Sequence, residues 1–311
     1  MDIKSIKLGD VTIKNNLFLA PMAGFTDFAL RKIASDYGAG LLVTELVSAK
    51  GIIYKAKGTK DLLHTVDDGL TSAQIFGSDP VCMKEAILSE DLAPFPIIDI
   101  NMGCPVPKVY KNGEGSALLE DIKRAESIIK ECVKSQKIIT VKIRTGLKHG
   151  DDIAKEFAMM AECAGASLIT IHGRVREDYY SGEPNYNAIY KAKKSVGIPV
   201  IANGGIFDKN DADKMMNETG ADGIMLARGG ISNPFLVSEL LGIKQDKSLK
   251  EFMIEHLICM SKNYPDRTAA LEFRKFVPYY FKGKDGLKEI KKQIYSAEQT
   301  SLILEILNKS L

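Results

Sequence analysis

Eight short apolar runs recur along the first three quarters of the chain, and their number and spacing constrain the fold more than any other feature. Most are about 24 to 30 residues apart, with segments of helical periodicity between them. This alternation is typical of βα units, and eight units in series favour a closed (β/α)8 TIM barrel over an open sheet. The predicted strands are Leu17–Pro21, Leu41–Leu46, Ser72–Phe76, Ile97–Asn101, Ile138–Ile143, Leu168–His172, Ile198–Asn203 and Asp222–Ala227.

The last quarter of the chain has a different pattern. After Pro234 the strand-like runs stop, and apolar positions recur at helical spacing with few turn breakers. We therefore predict a barrel domain over residues 1–242 and a small all-α domain over residues 243–311. Near the start, Val11–Ile13 precedes two asparagines and predicts a short hairpin that covers the bottom of the barrel.

Composition and cysteine usage argue against several classes of protein. No apolar run approaches the roughly 20 residues that span a bilayer, and the N-terminus lacks the apolar core of a signal peptide. The five cysteines are odd in number and scattered, without C-x-x-C spacing or a histidine at ligand spacing. We expect reduced thiols, a cytoplasmic location, no membrane partner, no metal site and a monomer.

Polar side chains stand at the C-terminal ends of the predicted strands. Each has an ordinary structural explanation, because a lysine can extend to solvent and a histidine can be satisfied in a core. The C-terminal ends of barrel strands meet at one face, however, so we expect these side chains to converge on a single site. They are Gln74, Asn101, Lys142, His172 and Asn203.

Cys104 follows the fourth predicted strand, in an interval about a dozen residues longer than the others. Extra length after a barrel strand is where active sites are built, and the surrounding glycines and prolines expose the side chain at the turn. A free cysteine can equally be a small buried hydrophobe. The position makes Cys104 a candidate reactive group.

Two glycine-rich segments follow the seventh and eighth strands. Asn203–Gly205 and Arg228–Gly230 offer backbone N–H groups without side chains in the way, in the usual phosphate-binding place of this architecture. A phosphate there, an amide at Gln74 and a cation at Lys142 suit flavin mononucleotide (FMN).

Motifs along nearly the whole chain resemble those of the tRNA-dihydrouridine synthases. They are Leu19–Asp27, Thr44–Leu46, Gln74–Asp79, Asp99–Pro105, Gly113–Leu119, Val141–Gly146, Ile171–Arg174 and Pro199–Gly204. The resemblance implies an FMN-dependent barrel enzyme that reduces uridines in tRNA. It also implies that the cofactor is held by Pro21, Met22, Ala23, Gln74, Lys142, His172, Asn203, Gly204, Gly205, Ala227 and Arg228.

The same resemblance assigns roles around the substrate. Reduction of the uracil C5=C6 bond needs a hydride, expected from reduced flavin, and a proton. A thiol is mostly protonated at pH 7, and Cys104 matches the general acid of the family. Asn101 and Arg174 are expected to hold the uracil or a neighbouring phosphate, and NADPH or NADH is expected to reduce the flavin.

The basic excess of the chain lies at its C-terminal end. Residues 243–311 carry 13 Lys and Arg against 9 Asp and Glu, whereas residues 1–242 carry 29 against 31. Aromatic residues 273–281 are interleaved with basic ones, so they could stack bases or support the helices. Arg274 and Lys275 resemble the tRNA-contacting helix of the family, which makes tRNA the expected partner.

Two other functions fit part of the sequence. Dihydroorotate dehydrogenases and ene-reductases use FMN on similar barrels but lack this basic helical tail. An RNA-binding protein without catalysis would need neither Cys104 nor the flavin-facing residues. The residues do not indicate which uridine is reduced, which nicotinamide cofactor is used or whether prior tRNA modification is required.

Overall fold

The computed structural model describes residues 1–310, which begin with a hairpin and a barrel. Strands β1 (Ile6–Leu8) and β2 (Val11–Ile13) pair antiparallel. Eight parallel strands then close in sequence order, with β10 pairing to β3, which confirms the predicted (β/α)8 barrel. They are β3 (Leu17–Leu19), β4 (Leu41–Ser48), β5 (Thr71–Phe76), β6 (Ile97–Met102), β7 (Ile138–Gly146), β8 (Leu168–Val175), β9 (Val200–Asn203) and β10 (Gly223–Leu226).

Helices connect the strands and complete the outer layer. Five of them begin at an Asp or Asn whose side chain accepts a hydrogen bond from a backbone N–H of the first turn, which satisfies a donor that the helix leaves free. The helices between the barrel strands are α1 (Phe28–Asp36), α2 (Ala49–Ile53), α3 (Pro80–Ile87), α4 (Pro107–Lys111), α5 (Ile122–Val133), α6 (Ala154–Cys163), α7 (Tyr186–Ser195) and α8 (Lys209–Thr219).

The hairpin covers the bottom of the barrel, as the sequence predicts. Ile6 and Ile13 are buried in one cluster with Leu41, Ile97 and Leu168, each of which begins a barrel strand. Because the N-terminal ends of the strands are plugged in this way, the C-terminal face is left for a site.

The segment after the barrel contains helices joined by short loops, and its described part has no strand. It continues the main hydrophobic core of the barrel, since Phe252 packs against both Tyr37 and Phe235 with ring centroids 6.0 and 5.7 Å apart. The division at residue 242 therefore stays a prediction. The remaining helices are α9 (Arg228–Ser232), α10 (Leu236–Leu240), α11 (Leu249–Asn263), α12 (Asp266–Phe273), α13 (Val277–Tyr280), α14 (Lys288–Ser296) and α15 (Thr300–Ser310).

Two strands have an irregular register, β4 near its middle and β7 near its C-terminal end. The register of β4 against β5 shifts between Val43 and Leu46, and that of β7 against β8 shifts between Arg144 and Gly146. Such bulges redirect side chains and are common beside active sites. The irregularity in β7 lies toward the face of the barrel that the hairpin leaves open, whereas the one in β4 begins at Val43, which is buried in the same cluster as the hairpin.

Candidate active site

A cavity of about 380 Å³ lies at the C-terminal ends of the barrel strands. Fourteen of the sixteen predicted site residues line it, as expected if the strand ends converge. The lining residues among those predicted are Pro21, Met22, Ala23, Gln74, Asn101, Cys104, Lys142, His172, Arg174, Asn203, Gly204, Gly205, Ala227 and Arg228.

Cys104 lies in a loop whose backbone is held on both sides. Its N–H donates to Asn101 Oδ1 at 2.9 Å, and its carbonyl accepts from the Ser116 hydroxyl at 2.8 Å. Burial raises the pKa of the Cys104 thiol. The side chain is therefore a protonated thiol at neutral pH, which is a potential proton donor and a poor nucleophile.

A chain of hydrogen bonds runs inward from this loop. Asn101 Nδ2 donates to Gln74 Oε1 at 2.9 Å, and Gln74 Nε2 donates to Asp99 Oδ2 at 2.7 Å. Asp99 is buried, and the hydroxyl of Thr140 donates to its other oxygen at 2.6 Å. The two amides that line the cavity are thus fixed in orientation by their neighbours.

Lys142 is the cation in the middle of the site. Its ammonium donates to Asn203 Oδ1 at 3.0 Å, and Asn203 Nδ2 donates to the Met225 carbonyl at 2.7 Å. Burial, together with the nearby charge of Arg144, lowers the pKa of Lys142 to about 8. Lys142 is still protonated at neutral pH, so it presents a positive charge to whatever occupies the cavity.

His172 is neutral. Burial and the surrounding cationic side chains hold the pKa of His172 well below its usual range. Arg174 Nη1 lies 3.2 Å from Nε2 of His172, and because a guanidinium can only donate, that nitrogen is the acceptor. The ring proton therefore sits on Nδ1. Arg174 also donates to the carbonyls of Ser181 and Gly182.

The loop after β9 forms a cradle in which a side chain does not fit. Gly204 and Gly205 have φ angles of +117° and +67°, and a Cβ on Gly204 would lie 2.8 Å from His172 Cδ2. Within residues 1–310, neither glycine donates its backbone N–H to another group of the protein. The Arg174 guanidinium lies next to both glycines, 3.2 and 3.7 Å from where their Cβ atoms would lie, and Arg228 also lines the cavity. Free backbone donors beside cationic side chains suit a phosphate, and the phosphate at this place stays a prediction.

Two residues of the site went unnoticed in the sequence. Arg144 donates to the Gly103 carbonyl at 2.9 Å and the Tyr179 carbonyl at 2.9 Å, which joins the Cys104 loop to the loop after β8. Tyr180 stacks on His172, with ring centroids 6.3 Å apart. Arg144 lies two positions after Lys142, so the period of a strand could have revealed it. Tyr180 lies in a loop that carries no such signal.

Arg274 and Lys275 lie outside the lining of the cavity. Arg274 donates to the Ala297 carbonyl at 2.8 Å, a contact within the helical segment. Lys275 is exposed and pairs with Glu272. Its Nζ lies 3.8 Å from where a Cβ on Gly24 would lie, next to Ala23 and Phe25 at the mouth of the cavity.

The aromatic residues of the helical segment mostly support its helices. Phe273, Phe276, Tyr280 and Phe281 are buried, so of the two alternatives open from the sequence, base stacking is excluded for these four. Tyr279 is only partly buried and lines the cavity.

Neither a membrane span nor a metal cluster is seen in the described part of the chain. Its helices are too short or too polar to cross a bilayer. No three His, Cys, Asp or Glu side chains among residues 1–310 are grouped so as to hold a metal ion.

Comparison with known proteins identifies the family. The sequence profile of the dihydrouridine synthases matches residues 18–309. The chain belongs to the dihydrouridine synthase family. This confirms the resemblance and the predicted class of activity, a flavin-dependent oxidoreductase.

Curated members of the family are similar over almost their whole length. The tRNA-dihydrouridine synthase B of Pseudomonas putida is 34% identical over 309 residues, which cover 96% of this chain and 92% of that protein. The enzyme of the same name from Vibrio parahaemolyticus is 34% identical over 313 residues, covering 97% of both.

Solved structures with low sequence identity share the fold. Histamine dehydrogenase from Rhizobium sp. 4-9 superposes with a TM-score of 0.60 at 15% identity, over 84% of this chain and 50% of that one. The old yellow enzyme homologue from Zymomonas mobilis superposes with a TM-score of 0.55 at 14% identity, over 78% and 94%. This likeness extends to the fold alone.

Proposed function

We propose that the protein reduces the C5=C6 bond of uridines in tRNA, with FMN as cofactor and NADPH or NADH as reductant. The observation that carries the proposal is the cavity itself. It brings a protonated thiol on a loop, a buried cation and a cradle for a phosphate together at one end of a barrel.

The residues of the cavity fit FMN. We assign the phosphate to Gly204, Gly205 and Arg228, where backbone donors are free and a Cβ is excluded. The flavin ring is assigned to the neighbouring part of the cavity, where the strand ends and the backbone of the loop after β3 line it. The proposed contacts to the ring are Gln74, Lys142 and His172, with the backbone of Pro21, Met22 and Ala23. Asn203 and Ala227 are proposed to hold the phosphate and the ribityl chain together with Gly204, Gly205 and Arg228.

When bound, reduced FMN would supply the hydride that adds to C6 of the uracil. The protein supplies the rest. Lys142 is held in the cavity by its hydrogen bond to Asn203, and its positive charge would stabilise the negative charge that a bound flavin gains on reduction. His172 is neutral at pH 7, and its Nδ1–H can donate a hydrogen bond without adding charge.

Cys104 is the proposed proton donor. The raised pKa of Cys104 keeps the thiol protonated at physiological pH. The backbone of Cys104 is held by hydrogen bonds to the side chains of Asn101 and Ser116. The proton leaves Sγ and bonds to C5 of the uracil, and the resulting thiolate lies beside the Arg144 charge, which stabilises it. Asn101 and Arg174 remain the proposed contacts to the substrate.

The helical segment is the proposed tRNA-binding part. Two of its lysines reach the mouth of the cavity: Lys275 beside Gly24, and Lys282, whose Nζ lies 4.7 Å from the ring centroid of Phe207. Phosphates of an RNA strand that enters the cavity would pass these cations. Arg274 is kept as a proposed contact, in the same turn between α12 and α13 as Lys275.

The proposal is tested with the purified protein, reconstituted with FMN and reduced under anaerobic conditions. Addition of unmodified tRNA is expected to restore the visible absorption of oxidised flavin, with dihydrouridine in the digested RNA. Free uridine and a small activated alkene serve as comparison substrates.

Other results would contradict the proposal. Reoxidation by the small alkene but not by tRNA indicates a small-molecule reductase. Binding of tRNA without any binding of FMN indicates a non-catalytic RNA-binding protein.

A further inference from the structure

A buried carboxylate lies at the inner end of the hydrogen-bond chain that reaches Cys104. Asp99 is 3% exposed and stands on β6 two residues before Asn101, so both side chains point toward the inside of the barrel. Nothing in the proposed chemistry uses Asp99 directly. Its contacts show what it does for the residues that line the cavity.

The groups at the two ends of this hydrogen-bond chain determine which way each amide side chain is turned. At the outer end, the backbone N–H groups of Gly103 and Cys104 donate to Asn101 Oδ1 at 3.2 and 2.9 Å. A backbone N–H can only donate, so the amide oxygen of Asn101 must face the loop. Its Nδ2 then faces Gln74, which must offer its own oxygen.

At the inner end of the hydrogen-bond chain, Asp99 requires the same orientation of the Gln74 amide. Gln74 turns its Nε2 inward, where Asp99 accepts at 2.7 Å, and an ionised carboxylate can only accept. If Asp99 were protonated, its O–H could turn to Thr140 and the other oxygen would still accept from Gln74. The direction of the chain therefore does not depend on the charge of Asp99.

We propose that Asp99 is a positioning residue that holds the Cys104 loop through Gln74 and Asn101. A group at position 99 that offered an N–H to Gln74 would reverse both amides. Two donors of Asn101 would then face the donors of Gly103 and Cys104, and the loop would lose its inner attachment. The proposal rests on the proposed function for its catalytic consequence but not for its structural one.

Two isosteric substitutions test the mechanism. In Asp99→Asn, the new amide can keep its oxygen toward Gln74 as long as the Thr140 hydroxyl accepts from its N–H. In Thr140→Val with Asp99 intact, the carboxylate still accepts from Gln74. Only in the double variant does the new amide lack an acceptor at position 140, so that it can satisfy its N–H only by turning toward Gln74.

The readout is the rate at which Cys104 is alkylated, measured by peptide mass spectrometry, with the exposed Cys163 as internal reference. In the double variant, the increase in the alkylation rate of Cys104 is expected to exceed the product of the increases in the two single variants by roughly fivefold. This factor corresponds to the loss of one buried hydrogen bond. Thr145→Val on the same strand is the matched control, because the buried Thr145 hydroxyl has no partner within residues 1–310. When Thr145→Val is combined with Asp99→Asn, the effects on the alkylation rate of Cys104 are expected to multiply without any excess.

A second readout tests whether the hydrogen-bond chain from Asp99 to Cys104 affects the reaction. The rate at which tRNA reoxidises the reduced flavin should show the same non-additive loss in the double variant. Strictly multiplicative effects on Cys104 alkylation, or an equal excess with Thr145→Val, would overturn the positioning role. If the wild-type protein does not reduce tRNA at all, the proposed function fails, while alkylation still decides the role of Asp99.

Discussion

Lys142 places a buried positive charge in the candidate active site, and we expect this charge to lower the free energy of unfolding of the protein. Its pKa falls from 10.5 in an unfolded chain to about 8 in the fold because the ammonium is buried. A difference of about 2.5 pKa units corresponds to about 3 kcal/mol of destabilisation at neutral pH, since one unit is about 1.4 kcal/mol. Loss of the hydrogen bond to Asn203 would offset about 1 kcal/mol.

We therefore predict that Lys142→Met raises the free energy of unfolding of the FMN-free protein by about 2 kcal/mol at pH 7. The sign follows from proton binding. Between pH 8 and 10.5 the unfolded chain binds the proton that the folded wild type has lost, so wild-type stability rises with pH there and the advantage of the variant shrinks. Below pH 8 both states are protonated and the advantage is constant.

The assay is urea unfolding of both proteins from pH 6.5 to pH 9.5, with Lys284→Met, an exposed lysine, as control. The control should show no such trend in its difference from the wild type. A Lys142→Met variant that is less stable than the wild type at pH 7, or a difference that stays constant from pH 7 to 9.5, would refute the reasoning. The same variant should bind FMN more weakly and reduce tRNA more slowly, because the charge is gone.

Three further predictions concern the thiol, the phosphate cradle and the helical segment. Cys104→Ala should leave FMN binding unchanged in a fluorescence titration and slow tRNA-dependent flavin reoxidation on the order of 10²–10⁴-fold. Gly204→Ala should weaken FMN binding roughly tenfold, because the added Cβ forces His172 to move and the φ angle is strained. Phe276→Ala should lower the free energy of unfolding by about 3–5 kcal/mol in urea, since the ring is buried against Phe25 and His256.

Controls for these variants are available in the chain. Gly150→Ala has a similar positive φ but no atom within 4 Å of the new Cβ, so it should leave FMN affinity unchanged. Tyr295→Ala, at a side chain 39% exposed, should cost far less stability than the change at Phe276. Unchanged reoxidation after loss of Cys104 would remove the thiol from the mechanism.

The eight strands were predictable because buried parallel strands are continuous apolar runs, which few other elements resemble. Their ends were less so. Strands β4, β7 and β8 extend beyond the predicted limits to Ser48, Gly146 and Val175. There, polar residues replace apolar ones because the strand has reached the cavity, so the hydrophobic signal stops before the hydrogen bonding does.

The site divides in the same way. Strand-end residues such as Lys142 and His172 were predictable, since the fold brings all C-terminal strand ends to one face. Arg144 needed the additional observation that β7 continues past Ile143. The contacts of Tyr180 depend on the path of a loop, and the donor and acceptor order of Gln74 and Asn101 depends on neighbours far apart in sequence.

The shared core of the barrel and the helical segment has a consequence for substrate choice. Phe252 in α11 packs directly on Tyr37 and Phe235, and Phe276 packs on Phe25 at the cavity. An RNA bound by the helices would be presented to Cys104 at a distance set by how the helical segment packs on the barrel. Selection of one uridine would then depend on its distance, in the folded RNA, from the part that the helices bind.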